Sequence, residues 1–168
     1  PLPTPAPATP TPVVDYWQRI QQEGEMLVGT SADYPPFQFY DTHFKLDGFD
    51  IALMRAIGEK LGVEIEFNDF AFDGLGGALF LGQIETAIAA ISVTPERQQL
   101  VDFSNVYYVG EDAVLASADT TLQITTKEET STLRIGVQKG TVYENYITQE
   151  LVEPGILPAQ NLLVYGDI

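Results

Sequence analysis

The chain contains no cysteine. That excludes disulfides, thiolate metal sites and a cysteine nucleophile. It leaves the compartment open, because a secreted protein need not use disulfides. Histidine is almost as scarce: His43 is the only one, set in the polar turn Asp41-Thr42-His43. A surface histidine is the plain reading there, and one histidine without cysteine argues against a structural zinc site. Serine–histidine catalysis would have to run through this one loop residue. Basic residues are few as well: eight Lys and Arg stand against 24 Asp and Glu, a net charge of -16. So acidic a surface argues against nucleic acid and against anionic membranes. It favours solubility, and cationic or zwitterionic ligands. No run of about 18 apolar residues exists to span a bilayer. No motif implies a cofactor.

Enough apolar material remains to build a core. Hydrophobic residues make up 45% of the 168, and the mean hydropathy is +0.01. That length suits one ordinary domain or two small lobes. Residues 1–14 stand apart: Pro1, Pro3, Pro5, Pro7, Pro10 and Pro12 alternate with Thr and Ala, and no charge occurs before Asp15. This composition predicts a Pro/Thr-rich disordered tether, extended and semi-rigid, or else a plain disordered terminus. There is no start methionine and no apolar leader, so a mature or trimmed form is expected.

From Asp15 onward the pattern alternates between helix and strand. Asp15 caps a short helix around Tyr16-Trp17-Gln18-Arg19-Ile20, and Met26 to Thr30 reads as a buried strand. After the loop Tyr34-Pro35-Pro36-Phe37, Gly48-Phe49-Asp50 opens a helix with Asp50 as its N-cap. Leu53, Met54, Ile57 and Leu61 form its apolar stripe, and Gly62 stops it. Val63 to Phe67 alternates as a strand, a helical turn covers Leu75 to Leu81, and Thr86 to Ile91 is a small, apolar, buried strand. This order predicts an open, mostly parallel α/β sheet. Ligands of such sheets bind beyond the carboxyl ends of the strands, so the loops at 30–37, 70–74 and 90–97 should share one rim.

Tyr107-Tyr108-Val109-Gly110 reads as a connector, Asp112 to Ala116 begins a second region, and Thr120 to Thr132 reads as a polar surface loop. Leu133 to Val137 is a strand pattern, and Gly140-Thr141 opens a helix with capping-box spacing from Thr141 to Glu144. Tyr143, Tyr146, Ile147 and Leu151 give that helix an apolar side, and Leu162 to Tyr165 reads as a last strand. The strand–Gly–loop pattern of Leu133 to Thr141 echoes Met26 to Thr30, as expected of two lobes facing one cleft. The predicted organisation is a tether (1–14), lobe 1 (15–108) and a partial lobe 2 (109–168).

One segment carries most of the chemistry. In Ala89-Ala90-Ile91-Ser92-Val93-Thr94-Pro95-Glu96-Arg97 an apolar strand ends in hydroxyl residues, and Pro95 then opens a helix with Arg97 in its first turn. A helix start offers unpaired N–H groups and a positive dipole end. Arginine adds a planar fork that holds a carboxylate bidentately. Together they make a seat for a small anion, such as the α-carboxylate of an amino acid. The plainer reading is a capped helix with Thr94 as N-cap, Pro95 at the first helical position and Arg97 on a solvated face.

The motifs line up with a known family. They are Val28-Gly29-Thr30-Ser31-Ala32-Asp33-Tyr34-Pro35-Pro36-Phe37, Gly48-Phe49-Asp50-Ile51, Phe72-Asp73-Gly74-Leu75, Ser92-Val93-Thr94-Pro95-Glu96-Arg97, Val101-Asp102-Phe103-Ser104, and Ile135-Gly136-Val137-Gln138-Lys139-Gly140-Thr141. In this order the chain, from about residue 24 to its end, resembles the type 2 periplasmic solute-binding proteins of family 3. These are the amino-acid receptors of bacterial ABC importers, related to the ligand-binding core of ionotropic glutamate receptors. The resemblance implies the periplasmic binding protein type II fold, with two α/β lobes around a cleft and the second lobe incomplete here. It implies that Arg97 clamps the ligand α-carboxylate, and that Ser92 and the carbonyl of Ala90 hold the carboxylate and ammonium. Tyr34 and Phe72 would sandwich the ligand side chain. Thr141 and Val142 would offer N–H groups from the second lobe, Gln138 would line the cleft, and binding would close the lobes. Ser31 takes the position where several relatives place an acid that reads a basic or amide side chain.

Relatives also continue further, with an aspartate on a later strand that pairs the ligand ammonium; Asp167 is not that residue. The expectation is a fragment, or a chain whose second lobe is completed by another chain or a swapped segment. The function implied is extracytoplasmic capture of a polar L-amino acid, from a membrane-tethered position, for delivery to a membrane permease. An enzyme on the same fold, of cyclohexadienyl or arogenate dehydratase type, would need acids such as Asp33 or Glu111, for which no partner is visible in the sequence. A ligand-sensing domain of a membrane receptor would need a spanning segment elsewhere.

Overall fold

The computed structural model describes residues 15–166. The Pro/Thr-rich stretch 1–14 and Asp167 lie outside the described residues. Helix α1 (Tyr16–Glu23) starts where Asp15 accepts the N–H of Gln18 at 3.1 Å, as expected of a capping aspartate. Strand β1 (Glu25–Thr30) follows at once. A small antiparallel meander of β2 (Asp33–Tyr34), β3 (Gln38–Tyr40) and β4 (Leu46–Asp47) leads into α2 (Phe49–Leu61). Strand β5 (Glu64–Asp69), helix α3 (Leu75–Phe80) and strand β6 (Thr86–Ala87) complete the first layer set.

The sheet order is β5–β1–β6, and both pairings are parallel. Strand β1 is therefore central, and Val28, opposite Phe67 and Thr86, is fully buried. On one face Met26 and Val28 pack with Ile20 of α1, Met54 of α2 and Ile88. On the other, Leu75 and Ala78 of α3 pack with Ile84 and Ala89, and Leu27 lies against them. Successive residues of β1 thus serve opposite cores, as the two-residue period of a strand requires. Arg19 pairs with Glu85, whose second carboxylate oxygen accepts the Leu27 N–H at 2.5 Å. That ties α1 to the loop before β6.

Helix α4 (Pro95–Gln98) has Thr94 as N-cap, its hydroxyl accepting the Arg97 N–H at 3.3 Å. From Gln99 to Lys127 the chain forms no helix or strand. A single helical turn at Glu128–Thr130 interrupts the loop expected over 120–132, and Thr130 in it is buried. Strand β7 (Ile135–Gln138) pairs in parallel with β8 (Leu162–Tyr165). Between them α5 (Val142–Ile147) continues into a wider helical turn, Thr148–Val152.

Four expectations are corrected. Asp50 is not the N-cap of α2: Gly48 is, with φ 126°, and Asp50 turns inward from the first turn. The buried stripe of α2 is Asp50, Ile51, Met54 and Gly58, with Leu53 at its edge. Ile57 and Leu61 are exposed: Ile57 falls to one side of the 51–54–58 row, and Leu61 is the last residue of the helix, before the Gly62 cap. The strand expected over 86–91 ends at Ala87, because Ala90 takes a left-handed backbone. On α5, Tyr143 and Tyr146 are exposed and Leu151 carries the burial.

Gly58 explains how closely α2 lies on the sheet. A Cβ there would sit 2.5 Å from Ile65 Cγ1 and 2.9 Å from the Val63 carbonyl oxygen. Substitution Gly58→Ala should therefore destabilise the protein by about 1–3 kcal/mol, the usual penalty for overpacking. Urea unfolding measures it, and an unchanged midpoint would show that α2 does not seat on β5 in this way.

Candidate functional site

Parallel strands deliver their carboxyl ends to one edge, and the segments that follow meet there. The Thr30 carbonyl accepts the Phe70 N–H at 2.9 Å, and the Thr30 hydroxyl donates to the Ile88 carbonyl at 2.8 Å. The Ala32 N–H donates to Asp69 at 3.0 Å, and the Asp69 second oxygen accepts the Tyr40 hydroxyl at 3.0 Å. The loops expected to share a rim therefore do so. An open cleft of about 330 Å³ lies among Ser31, Ala32, Asp33, Asp69, Phe70 and Ala71. That volume is at the small end of ligand sites.

Arg97 links three segments of this edge. Its guanidinium lies 5.6 Å from the centroid of the Phe72 ring. Nη1 donates to the Ser92 carbonyl at 2.7 Å, and Nη2 donates to the Gly140 carbonyl at 2.9 Å. Burial lowers its pKa, yet an arginine stays charged in a protein. One guanidinium thus spans the loop that carries it and the turn after β7.

Further contacts cross at the same place. Gln138, buried at the end of β7, donates to Asp33 at 2.6 Å. Asp33 also accepts the hydroxyl of buried Ser31 at 3.1 Å. Lys139 pairs with Asp73 at 2.8 Å, and the Asp73 side chain holds the lysine pKa up. Gly140 has φ 76°, and a Cβ on it would lie 2.9 Å from the Asp73 Cβ. Only glycine suits that backbone and that approach.

Thr141 caps α5 as expected: its hydroxyl accepts the Glu144 N–H at 3.3 Å and donates to the Gln138 carbonyl at 2.7 Å. The reciprocal bond of the capping box is displaced by one residue, with Glu144 accepting the Gly140 N–H at 2.6 Å. The Thr141 and Val142 N–H groups are left without a protein partner among the described residues. Tyr143 donates to Asp112 at 2.7 Å, and this bond, with burial, pushes its pKa up to about 12.

The two rings expected to flank a ligand each meet another group of the protein. Tyr34, half-exposed, stacks on Phe37 at 5.4 Å and 14°. Phe37 meets Tyr108 edge-on at 4.9 Å. Phe72 takes Arg97 instead, so Tyr34 and Phe72 are two separate walls. Ala90 has φ 47°, and its N–H donates to Asp50 at 2.7 Å. The other Asp50 oxygen accepts the Tyr107 hydroxyl at 3.1 Å. Burial raises the Asp50 pKa against these two donors, and burial together with the Asp50 charge raises that of Tyr107.

The structure thus brings Ser31 and Gln138 together through Asp33, and Ser92, Phe72 and Gly140 together through Arg97. Asp33, Asp73, Lys139 and Tyr107 were not among the residues expected to bind. Asp50, expected to cap α2, meets Ala90 and Tyr107 instead. Glu111 is exposed.

Four similarities to known proteins bear on this arrangement. The family model for bacterial extracellular solute-binding proteins, family 3, matches residues 26–150. The arginine-binding extracellular protein ArtP of Bacillus subtilis is 36% identical over 120 residues, which cover 71% of this chain and 46% of that protein. A probable histidine-binding protein of Campylobacter jejuni is 41% identical over 120 residues, again 71% of this chain and 46% of that protein. The chain spans about half the length of the curated relatives it matches. Among solved structures, the ancestral amino acid-binding protein AncCDT-1, a precursor of cyclohexadienyl dehydratase, superposes with a TM-score of 0.79 at 30% identity. That alignment covers 91% of this chain and 66% of the other. The fold is that of the type II periplasmic binding proteins, with the second α/β lobe only partly present. The named relatives are binding proteins rather than enzymes. With the family model matching from Met26 through the turn after α5, the chain belongs to the bacterial extracellular solute-binding proteins, family 3.

Proposed function

We propose that this chain is part of an extracytoplasmic receptor that binds a polar L-amino acid and delivers it to an ABC-type importer. The observation that carries this reading is Arg97, a charged fork at the meeting point of two loops and the turn after β7. Lobe 1 would run from 15 to 108 and lobe 2 from 109. Arg97 clamps the ligand α-carboxylate, and Ser92 and the Thr141 and Val142 N–H groups add donors to it. The Ala90 carbonyl takes the ammonium. Tyr34 and Phe72 flank the ligand side chain as opposite walls, and Ser31 and Gln138 set the cleft floor around Asp33. Binding and closure are the whole mechanism, and neither calls for a cofactor. The partners are the amino acid and a membrane permease, with a further segment or second chain completing lobe 2. The Pro/Thr-rich stretch 1–14 serves as a tether to the cell surface.

The names of the relatives support the ligand class, since they are called arginine-, histidine- and cystine-binding proteins. A dehydratase would need a free acid at the cleft. The two acids that line it are already engaged: Asp33 accepts from Ser31 and Gln138, and Asp69 from Ala32 and Tyr40.

Titration calorimetry with a panel of L-amino acids tests the reading. Arg97→Ala should weaken binding by about 2–5 kcal/mol, as expected when a buried charge loses its partner. An unchanged dissociation constant would remove Arg97 from the site. Tyr34→Ala should lower affinity and reorder the preference among side chains. Weakened binding with the same order of preference would place Tyr34 outside the side-chain subsite. Turnover of prephenate or arogenate would replace the receptor reading with the enzymatic one.

A further inference from the structure

The contact that no sheet or helix demands is the one at Asp50. Its carboxylate is fully buried and joins three separate segments: the first turn of α2, the loop at Ala90 and the connector at Tyr107. Burying a carboxylate is unfavourable unless donors meet it, and here each oxygen receives one. Asp50 does not cap its own helix, because Gly48 holds that position without a side-chain bond. The carboxylate faces away, toward an alanine at φ 47°. That conformation is disfavoured for any residue with a Cβ. A charge-assisted hydrogen bond to the Ala90 N–H offsets the penalty.

We propose that Asp50 is a positioning residue for ligand binding. With Tyr107 it fixes the left-handed turn at Ala90 that aims the Ala90 carbonyl and the Ser92 segment into the cleft. This rests on the receptor reading above, in which that carbonyl takes the ligand ammonium. Tyr107 lies in the segment that leads from one sheet to the other, and its ring stacks near Phe49 of α2 at 6.2 Å. The ligand shelf is therefore fastened to the connector by one hydroxyl and one carboxylate. A ligand that pulls on the shelf also pulls on the connector.

The test uses the whole chain, L-arginine, L-histidine and L-cystine as probes, and three substitutions. Tyr107→Phe removes one hydroxyl with little change of shape. Asp50→Asn removes the charge. Ala90→Gly removes the Cβ that makes the turn unfavourable. Affinity for whichever probe binds should fall about ten- to a hundredfold in Tyr107→Phe and in Asp50→Asn, the effect of losing a hydrogen bond to a charged group. Adding Ala90→Gly to either should restore part of the loss. A merely structural role would lower the melting temperature, leave the dissociation constant of the folded protein unchanged and give no rescue by glycine; that result overturns the proposal. If Asp50→Asn fails to fold, Tyr107→Phe decides alone. If none of the probes binds the unaltered protein, the receptor reading is at fault, and the Ala90 amide resonance still reports on Asp50. A shift of that resonance in Tyr107→Phe supports the positioning role, and an unmoved one refutes it.

Discussion

Strand β1 lies between two parallel neighbours, and that arrangement controls nearly everything else. A parallel partner on each side means that the carboxyl ends of β5, β1 and β6 arrive at the same edge. Parallel pairing also requires crossovers, so helices must cover both faces of the sheet. Val28 and Met26 serve one face and Leu27 the other. Helices close the faces, and the segments that follow these strands begin at that edge. Residues 31–34, 70–73 and 88–92 converge there because the chain has nowhere else to take them.

What was legible in the sequence is what depends on near neighbours. Asp15, Thr94 and Thr141 cap helices that begin at the next residue, so each cap and the N–H that donates to it lie within one turn. The order of strands and helices was legible because apolar runs alternate with helical periods. What was not legible depends on partners far along the chain. Asp50 looks like an N-cap locally, but its donors lie 40 and 57 residues away. The run Thr86 to Ile91 looks like one strand, yet Ala90 is left-handed and its N–H meets that same distant carboxylate. Gln138 meets Asp33 across 105 residues. The site residues were legible as a resemblance between motifs, and their actual partners were not. Tyr34 and Phe72 show the difference: both lie at the rim, but one ring stacks on Phe37 and the other takes the Arg97 cation.

The most informative feature of the rim is that its cation is already engaged. Arg97 donates to two carbonyls, one on each side of the junction. Gln138–Asp33 and Lys139–Asp73 cross the same gap. The junction therefore holds itself together through one ion pair and two sets of polar contacts. A ligand shifts an equilibrium between open and closed forms only by the difference in its affinity for the two. Contacts that close the junction without a ligand reduce how much of that difference goes into closure. They also fix the position of Arg97 before a carboxylate arrives, which lowers the entropy lost on binding. Lys139 and Asp73 are partly exposed, so salt screens their share. The Gln138–Asp33 contact is more sheltered. Under the receptor reading, the ligand completes a junction that is already partly formed. Its specificity then rests on the groups that have donors or faces to spare: the Thr141 and Val142 N–H groups and the two aromatic walls.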